Sequence, residues 1–259
     1  MMSCPFPGVH LNGDSTMRGI LLAVPIHEVH NFLPAGLELG QQNLTPPGTH
    51  PVMFFFNDIF RAQISVPSLI PSMTYHEHHV GVPFTQLTAG VLSPGYPGPY
   101  YFMPRLYLDN LPAIAGGIAF WGFAKQMAYF TVTANRYTVR NLAGEKLISL
   151  DWSTEGEGGL HPASHDQPFQ VIRQILDQTL ISQIPAAVGP FFALSDFQKD
   201  WEHALVEPLR IVIEVDIAYV PGQQCGLYPA GGPTPTALSS YEIRVPWRLS
   251  LPYPPALSS

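Results

Sequence analysis

Lys125 is the residue whose setting most suggests covalent chemistry. It lies in residues 107–130, an almost wholly apolar stretch rich in glycine and aromatic side chains. The two other lysines, Lys146 and Lys199, stand among polar neighbours, as solvated lysines usually do. Burial in an apolar pocket lowers the pKa of a lysine and makes the neutral, nucleophilic amine available. The alternative is a lysine that extends its charged end to the surface, and composition alone leaves both open.

A second candidate group is the sequence Tyr-His-Glu-His-His at residues 75–79. Three imidazoles and a carboxylate so close together suggest a metal site. However, alternation along a strand places Tyr75, Glu77 and His79 on one face and His76 and His78 on the other. We therefore predict no metal here, and we expect Glu77 to move protons if it is buried near an amine.

Hydrophobic alternation and turn residues predict the elements that position these residues. Strands are expected at residues 19–25, 52–56, 73–84, 130–134, 137–140, 145–152, 209–220 and 241–251. Helices are expected at residues 27–33, from a cap near Asn110 and Pro112, at residues 168–183, and more weakly at residues 195–205. Residues 1–17 are interpreted as an irregular leader. Together these patterns predict one α+β domain, residues 1–259, with a curved, mainly antiparallel sheet.

Composition excludes several classes of function. The 259 residues are 46% hydrophobic and 12% charged, which is typical of a globular protein with a large core. A net charge of −7 offers no basic surface for nucleic acid. No apolar run is long enough to span a bilayer, and the first residues lack a signal-peptide pattern, so we expect a cytoplasmic protein. No nucleotide-binding glycine motif or serine-nucleophile motif is present, and no cofactor is predicted.

The sequence resembles the acetoacetate decarboxylase family. The resemblance is densest at residues 106–117, Leu-Tyr-Leu-Asp-Asn-Leu-Pro-Ala-Ile-Ala-Gly-Gly, and at the Gly-Phe-Ala-Lys that ends at Lys125. It implies that Lys125 is the lysine that forms a Schiff base and that Glu77 is the active-site glutamate. It also implies that Arg18 lies near the substrate carboxylate, and that the curved sheet closes into a cone-like barrel with a few flanking helices.

Two departures from the family pattern concern the lysine itself. Ala124 replaces a proline, and Gln126 replaces a second lysine that would activate the first by its charge. Desolvation must then lower the Lys125 pKa by itself, and we expect Gln126 to offer the substrate a neutral hydrogen bond. The expected apolar walls of the pocket are Ile118, Phe120, Trp121, Phe123 and Met127. Of these, we predict that Phe123 contacts substrate, as does Tyr75.

The resemblance implies a homo-oligomeric lyase that acts on a small keto acid. Decarboxylation and aldol or dehydration chemistry both remain open, because related enzymes use the same imine for either purpose. The alternative is a non-catalytic protein that kept the fold and the pocket and binds a small ligand.

Overall fold

A computed structural model describes residues 9–65, 71–88, 98–155, 159–186, 189–216, 225–229 and 236–253. Its strands are β1 His10–Pro25, β2 Leu37–Leu39, β3 Thr49–Ile64, β4 Met73–Leu87, β5 Tyr100–Leu108, β6 Lys125–Met127, β7 Tyr129–Val132, β8 Arg136–Arg140, β9 Lys146–Thr154, β10 His161–Pro162, β11 Thr179–Ala186, β12 Gly189–Ser195, β13 Phe197–Lys199, β14 Leu205–Val215, β15 Gly226–Tyr228 and β16 Thr236–Ser250. The α-helices are α1 Ile26–Val29, α2 Leu111–Trp121 and α3 Phe169–Leu176. Two 3₁₀ turns cover His30–Phe32 and Ala163–His165.

The strands form one large sheet in the order β12-β11-β5-β4-β3-β1-β16-β14-β9-β8-β7. All neighbours are antiparallel except that β5 is parallel to both β11 and β6. The α+β class, mainly antiparallel with few helices, is therefore confirmed. The predicted closure into a barrel is wrong, because β12 and β7 end the row without pairing with each other in the described residues. Within the row, β6 shares one side of β5 with β11, and β13 shares one side of β16 with β14.

The long central strands are buried on both faces, which explains their continuous apolar runs. In β3, Met53 and Phe55 pack into one hydrophobic cluster, whereas Phe54 and Phe56 pack into another on the opposite side. Alternate positions of β1 and β4 divide in the same way. These central strands therefore separate two cores, and a residue's position along each strand decides which core it faces.

A β–α–β unit formed by β5, α2 and β6 carries Lys125. The Asn110 side chain caps α2 by accepting a hydrogen bond from the Ala113 amide at 3.0 Å, and Pro112 follows in the first turn, as predicted. Gly122, with φ of 66°, ends the helix in the left-handed conformation that glycine tolerates best. The chain then reverses and enters β6 at Lys125, parallel to β5.

Three predicted segments are wrong. Residues 10–17 are not a leader but part of β1, because pairing with both β3 and β16 outweighs their low strand propensity. The helix predicted at residues 168–183 ends at Leu176, and the following residues pair with β5 and β12 as β11. Within residues 195–205 the structure forms β13, which pairs with β16. In each case a partner distant in sequence overrides the local pattern.

Within the described ranges, no helix is both long and apolar enough to cross a membrane.

Candidate active site

The sheet register brings Lys125 and Glu77 together from opposite sides of β5. Glu77 pairs with Leu108, and Lys125 pairs with Leu106. These two leucines are two residues apart, so their side chains point to the same face of the sheet. The side chains of their cross-strand partners, Glu77 and Lys125, point to that face as well. The two candidate catalytic side chains therefore face the same core although 48 positions separate them in the sequence.

Lys125 and Glu77 meet at the wall of an internal cavity of about 80 Å³. Lys125 Nζ lies 3.8 Å from Glu77 Oε2, and their side chains are only 9% and 12% exposed. A single water requires roughly 10–15 Å³ by this measure, so the cavity has room for a molecule of a few heavy atoms. Lys125 thus ends inside the protein, which rules out a lysine that extends to the surface.

Glu77 is held in a polar network inside this mainly apolar cavity. The Asn57 side-chain amide donates a hydrogen bond to Glu77 Oε1 at 3.4 Å and lies 3.3 Å from His79 Nδ1. His79 Nδ1 is 3.6 Å from Glu77 Oε1, and His79 Nε2 is 3.4 Å from the Tyr101 hydroxyl. His79, predicted on the Glu77 face, therefore links the carboxylate to Tyr101.

Burial and neighbouring charges set the two pKa values. Burial lowers the pKa of Lys125, and the Glu77 carboxylate only partly offsets this, so the neutral amine is more accessible than in a solvated lysine. Burial raises the pKa of Glu77, but His79, Lys125 and Asn57 together outweigh it and keep the pKa below its ordinary value. An ionised carboxylate beside an amine with a lowered pKa is suited to proton transfer.

Gly117 allows α2 to lie directly against the Lys125 side chain. A Cβ atom at Gly117 would stand 2.4 Å from Lys125 Cδ and 2.5 Å from Cε. A Cβ atom at the preceding Gly116 would have no atom within 4 Å. Gly117, rather than Gly116, therefore leaves the space that the Lys125 side chain occupies.

The structure brings only some of the other predicted site residues to this cavity. Phe123 and Tyr75 line it, and the Phe123 ring centre lies 6.0 Å from Lys125 Nζ. Gln126 is exposed, because the strand turns it away from the face that carries Lys125. Arg18 lies on the opposite face of the sheet.

Arg18 is held there by acidic partners. It forms ion pairs with Asp58 and Glu242, both at 3.0 Å, and stacks over the Trp152 ring. The resemblance implied that Arg18 lies near the substrate carboxylate, but the structure places Arg18 away from the cavity that contains Lys125.

The remaining predicted walls are distributed differently. Phe120 and Trp121 border an adjoining cavity of about 120 Å³ that also includes Lys125 and Phe123. Phe120 is exposed, so this second cavity lies between Lys125 and the surface. Ile118 is half exposed and borders a third cavity, of about 430 Å³, that also includes Phe123 and Lys125. Met127 packs at the edge of the core on the Lys125 side.

Sequence reasoning missed a second lysine at the same cavity. Lys199 was expected in solvent, yet it is buried and lines the cavity with Lys125 and Glu77. The reason is β13, whose register against β16 turns Phe197 and Lys199 inward. The available signal was the spacing of Phe197 and Lys199, two residues apart, which places both on one face of any strand.

The described residues contain no group of three or more His, Cys, Asp or Glu side chains arranged to hold a metal ion. His76 and His78 do face away from Glu77 and His79, as strand alternation predicted. His78 packs against Phe56, and His76 bonds to Asp109.

Three solved structures with the same fold illustrate the similarity. The enduracididine biosynthesis enzyme MppR, solved with pyruvate, matches with a TM-score of 0.60 at 15% identity, covering 100% of this chain and 93% of its own. Acetoacetate decarboxylase from Legionella pneumophila matches with a TM-score of 0.60 at 15% identity, covering 99% and 90%. An acetoacetate decarboxylase-like enzyme from Sphingomonas wittichii matches with a TM-score of 0.56 at 12% identity, covering 96% and 94%.

The sequence itself carries the family pattern. A sequence model of the acetoacetate decarboxylase family matches residues 2–194. This chain belongs to the acetoacetate decarboxylase family. No curated protein sequence matches it.

Proposed function

We propose that this protein is a lyase that forms a Schiff base between Lys125 and a small keto acid. The observation that carries the proposal is the Lys125 amine, enclosed in a largely apolar cavity 3.8 Å from the Glu77 carboxylate. Burial is the cause of its lowered pKa, since the next residue, Gln126, supplies no charge. MppR, whose structure contains pyruvate, supports a small keto acid as the substrate class.

The proposed reaction begins with attack of neutral Lys125 on the ketone carbon. The ketone oxygen takes up a proton, and Glu77 relays protons as the resulting carbinolamine loses water and becomes a protonated imine. A bond at the carbon next to the imine carbon then breaks, and its electron pair moves toward the imine nitrogen to give an enamine. In decarboxylation the leaving group is carbon dioxide and the enamine then takes up a proton, whereas in aldol chemistry the leaving group is a proton, accepted by Glu77, and the enamine attacks an aldehyde whose adduct then loses water. Hydrolysis of the imine releases the product and restores the Lys125 amine.

Reduction with borohydride in the presence of pyruvate or acetoacetate tests the proposal. We expect the mass of the reduced adduct on the peptide that contains Lys125, and none in Lys125→Met. Lys146→Met is a matched control, because Lys146 pairs with Glu214 and Asp216 away from the cavity. Absence of an adduct, or an adduct that persists in Lys125→Met, contradicts the proposal.

Screening keto acids with and without an aldehyde, while following carbon dioxide and conjugated products, distinguishes decarboxylation from aldol and dehydration chemistry.

One observation favours a second candidate, a protein that binds a keto acid without turnover. The Glu77 carboxylate opposes the lowering of the Lys125 pKa by burial and so favours the ammonium form. The next residue, Gln126, carries no positive charge that would counter the effect of Glu77. A non-catalytic binder would bind the keto acid yet give no reduced adduct and no product. Homo-oligomeric assembly, a single domain and a cytoplasmic location stay predictions.

A further inference from the structure

Lys199 and Trp247 form a distinct wall of the Lys125 cavity. They are direct cross-strand partners in the β13–β16 pair, so their side chains project to the same face. Both line the cavity, and they are 9% and 6% exposed. Phe197 packs edge-on against the Trp247 ring at 5.5 Å and lies 4.2 Å from Lys199 Nζ, which fixes the two side chains relative to each other.

Lys199 has hydrogen-bonding capacity left over. Its Nζ donates to the backbone carbonyl oxygens of Leu176 and Phe197, which accounts for two of the three N–H groups of an ammonium. No ion pair among the described residues includes Lys199, and burial lowers its pKa to about 7 although Asp177 acts in the opposite direction. A buried ammonium without a counter-ion is costly, and an anion in the cavity would relieve that cost.

Trp247 adds a second unused donor. Its indole Nε1 is buried and has no hydrogen-bond partner among the residues that the structure describes. Buried polar groups are nearly always satisfied, so an orphaned N–H beside a cavity points to a ligand that accepts from it. On these two directly paired residues, an ammonium and an indole N–H provide donors for both oxygens of one carboxylate.

We propose that Lys199 and Trp247 bind the carboxylate of the substrate, with its ketone directed toward Lys125. This assignment rests on the proposed function for the identity of the substrate. It supplies the carboxylate-binding group that Arg18 was expected to provide and cannot, because Arg18 faces the other core. It also separates the roles of the two buried lysines: Lys125 reacts, and Lys199 holds the anion.

Binding of propionate tests the subsite without any covalent chemistry, because propionate has the carboxylate of a small keto acid but no ketone. Isothermal titration should show that propionate binds more tightly than propionamide, which has the same number of heavy atoms and no charge. Lys199→Met should weaken propionate binding by about 10- to 100-fold, the effect of losing a hydrogen bond to a charged group. Trp247→Phe, which keeps an aromatic ring, should weaken it by roughly 2- to 10-fold. Lys146→Met should bind as the unmodified protein does.

Several results would overturn the subsite. These are equal affinity for propionate and propionamide in the unmodified protein, or unchanged propionate affinity in Lys199→Met. Lys199→Met leaves the Leu176 and Phe197 carbonyls unpaired and could fail to fold. In that case, unchanged propionate affinity in Trp247→Phe would overturn the subsite.

Borohydride trapping separates this proposal from the proposed function. If Lys125 forms no adduct but propionate binding depends on Lys199, the Schiff-base proposal fails and the subsite stands. If pyruvate is trapped on Lys125 at the same concentrations in Lys199→Met as in the unmodified protein, the subsite fails and the Schiff base stands. We expect Lys199→Met to require at least about tenfold more pyruvate, while trapping of the uncharged ketone butanone changes little. An adduct on Lys199 itself would contradict its assignment as the anion-binding residue.

Discussion

Glu77 affects Lys125 in two opposing ways. As an ionised carboxylate 3.8 Å away, it raises the lysine pKa and so reduces the amount of neutral amine. In the proposed reaction it also accepts and donates protons in the later steps that form and consume the imine. Burial outweighs the first effect, because the Lys125 pKa remains below its ordinary value despite the carboxylate. In the proposed mechanism, Glu77 therefore reduces the fraction of neutral Lys125 amine but provides a nearby group for proton transfer.

The two effects are separable in Glu77→Gln. We expect the pH midpoint of Lys125 reactivity toward an uncharged acylating reagent to lie below about 10.4 in the unmodified protein. Because the neutral amine is the reactive form, reactivity rises with pH, and removing the carboxylate should move the midpoint to still lower pH. Turnover of a keto acid should nevertheless fall by about 10²- to 10⁴-fold, the usual effect of losing a general acid–base group. An upward shift of the midpoint would contradict the assigned contact.

At the scale of elements, the β5–α2–β6 unit determines where the amine lies. The Asn110 cap fixes the start of α2, Gly122 fixes its end, and the parallel register of β6 against β5 fixes Lys125 opposite Leu106. Gly117 then lets the middle of the helix approach the lysine side chain. The position of the Lys125 amine therefore depends on the helix as well as on the strand that bears it.

The adjacent glycines Gly116 and Gly117 allow a matched test of this arrangement. Gly117→Ala places a methyl group where Lys125 Cδ and Cε lie, and only the flexible lysine needs to move, so we expect a large loss of trapping. A displacement of about 1 Å can cost up to about 100-fold in rate. Gly116→Ala has open space around its methyl group and should stabilise the protein by about 0.4–1 kcal/mol without changing trapping. Equal trapping by both variants would exclude the proposed contact; chemical unfolding and adduct mass provide the measurements.

At the scale of the whole molecule, the sheet separates the core that contains the Lys125 cavity from a second core on the opposite face. The Lys125 cavity opens into one core, while the other core contains His78, which is fully buried against Phe56 and donates through Nδ1 to the Phe55 carbonyl at 2.8 Å. Burial lowers the pKa of His78 to about 3, so this histidine stays neutral at physiological pH. It acts as a structural residue rather than as part of the candidate active site.

This burial predicts a pH dependence of stability. In the unfolded chain His78 binds a proton near pH 6.5, whereas in the folded protein it does so only near pH 3, so acid favours unfolding between these values. Stability should fall by about 1.4 kcal/mol per pH unit in this window from His78 alone. In His78→Gln the slope of unfolding free energy against pH should be smaller by that amount, whereas His27→Gln, at an exposed position, should leave it unchanged. An identical slope in His78→Gln and the unmodified protein would refute the prediction.

Local patterns in the sequence were sufficient to predict much of the fold and part of the candidate site. Alternation placed Tyr75, Glu77 and His79 on one face, and cap chemistry located the start of α2 at Asn110. The apolar setting of Lys125, the strand position of Glu77 and the family resemblance identified these two residues as candidates, and the structure brings their side chains together. These inferences succeeded because each depends on residues within a few positions of one another, or on a motif that spans such residues.

Tertiary structure alone decided the rest. Whether Arg18 faces the cavity depends on the face of β1 that the β3 and β16 pairings select, and its partners Asp58 and Glu242 are distant in sequence. Lys199 enters the cavity only because Phe197–Lys199 pairs with a strand nearly fifty residues later. The sheet likewise stays open because its end strands, β12 and β7, do not pair with each other in the described residues. A strand's own pattern shows which residues share a face, but only its pairing partners determine what that face meets.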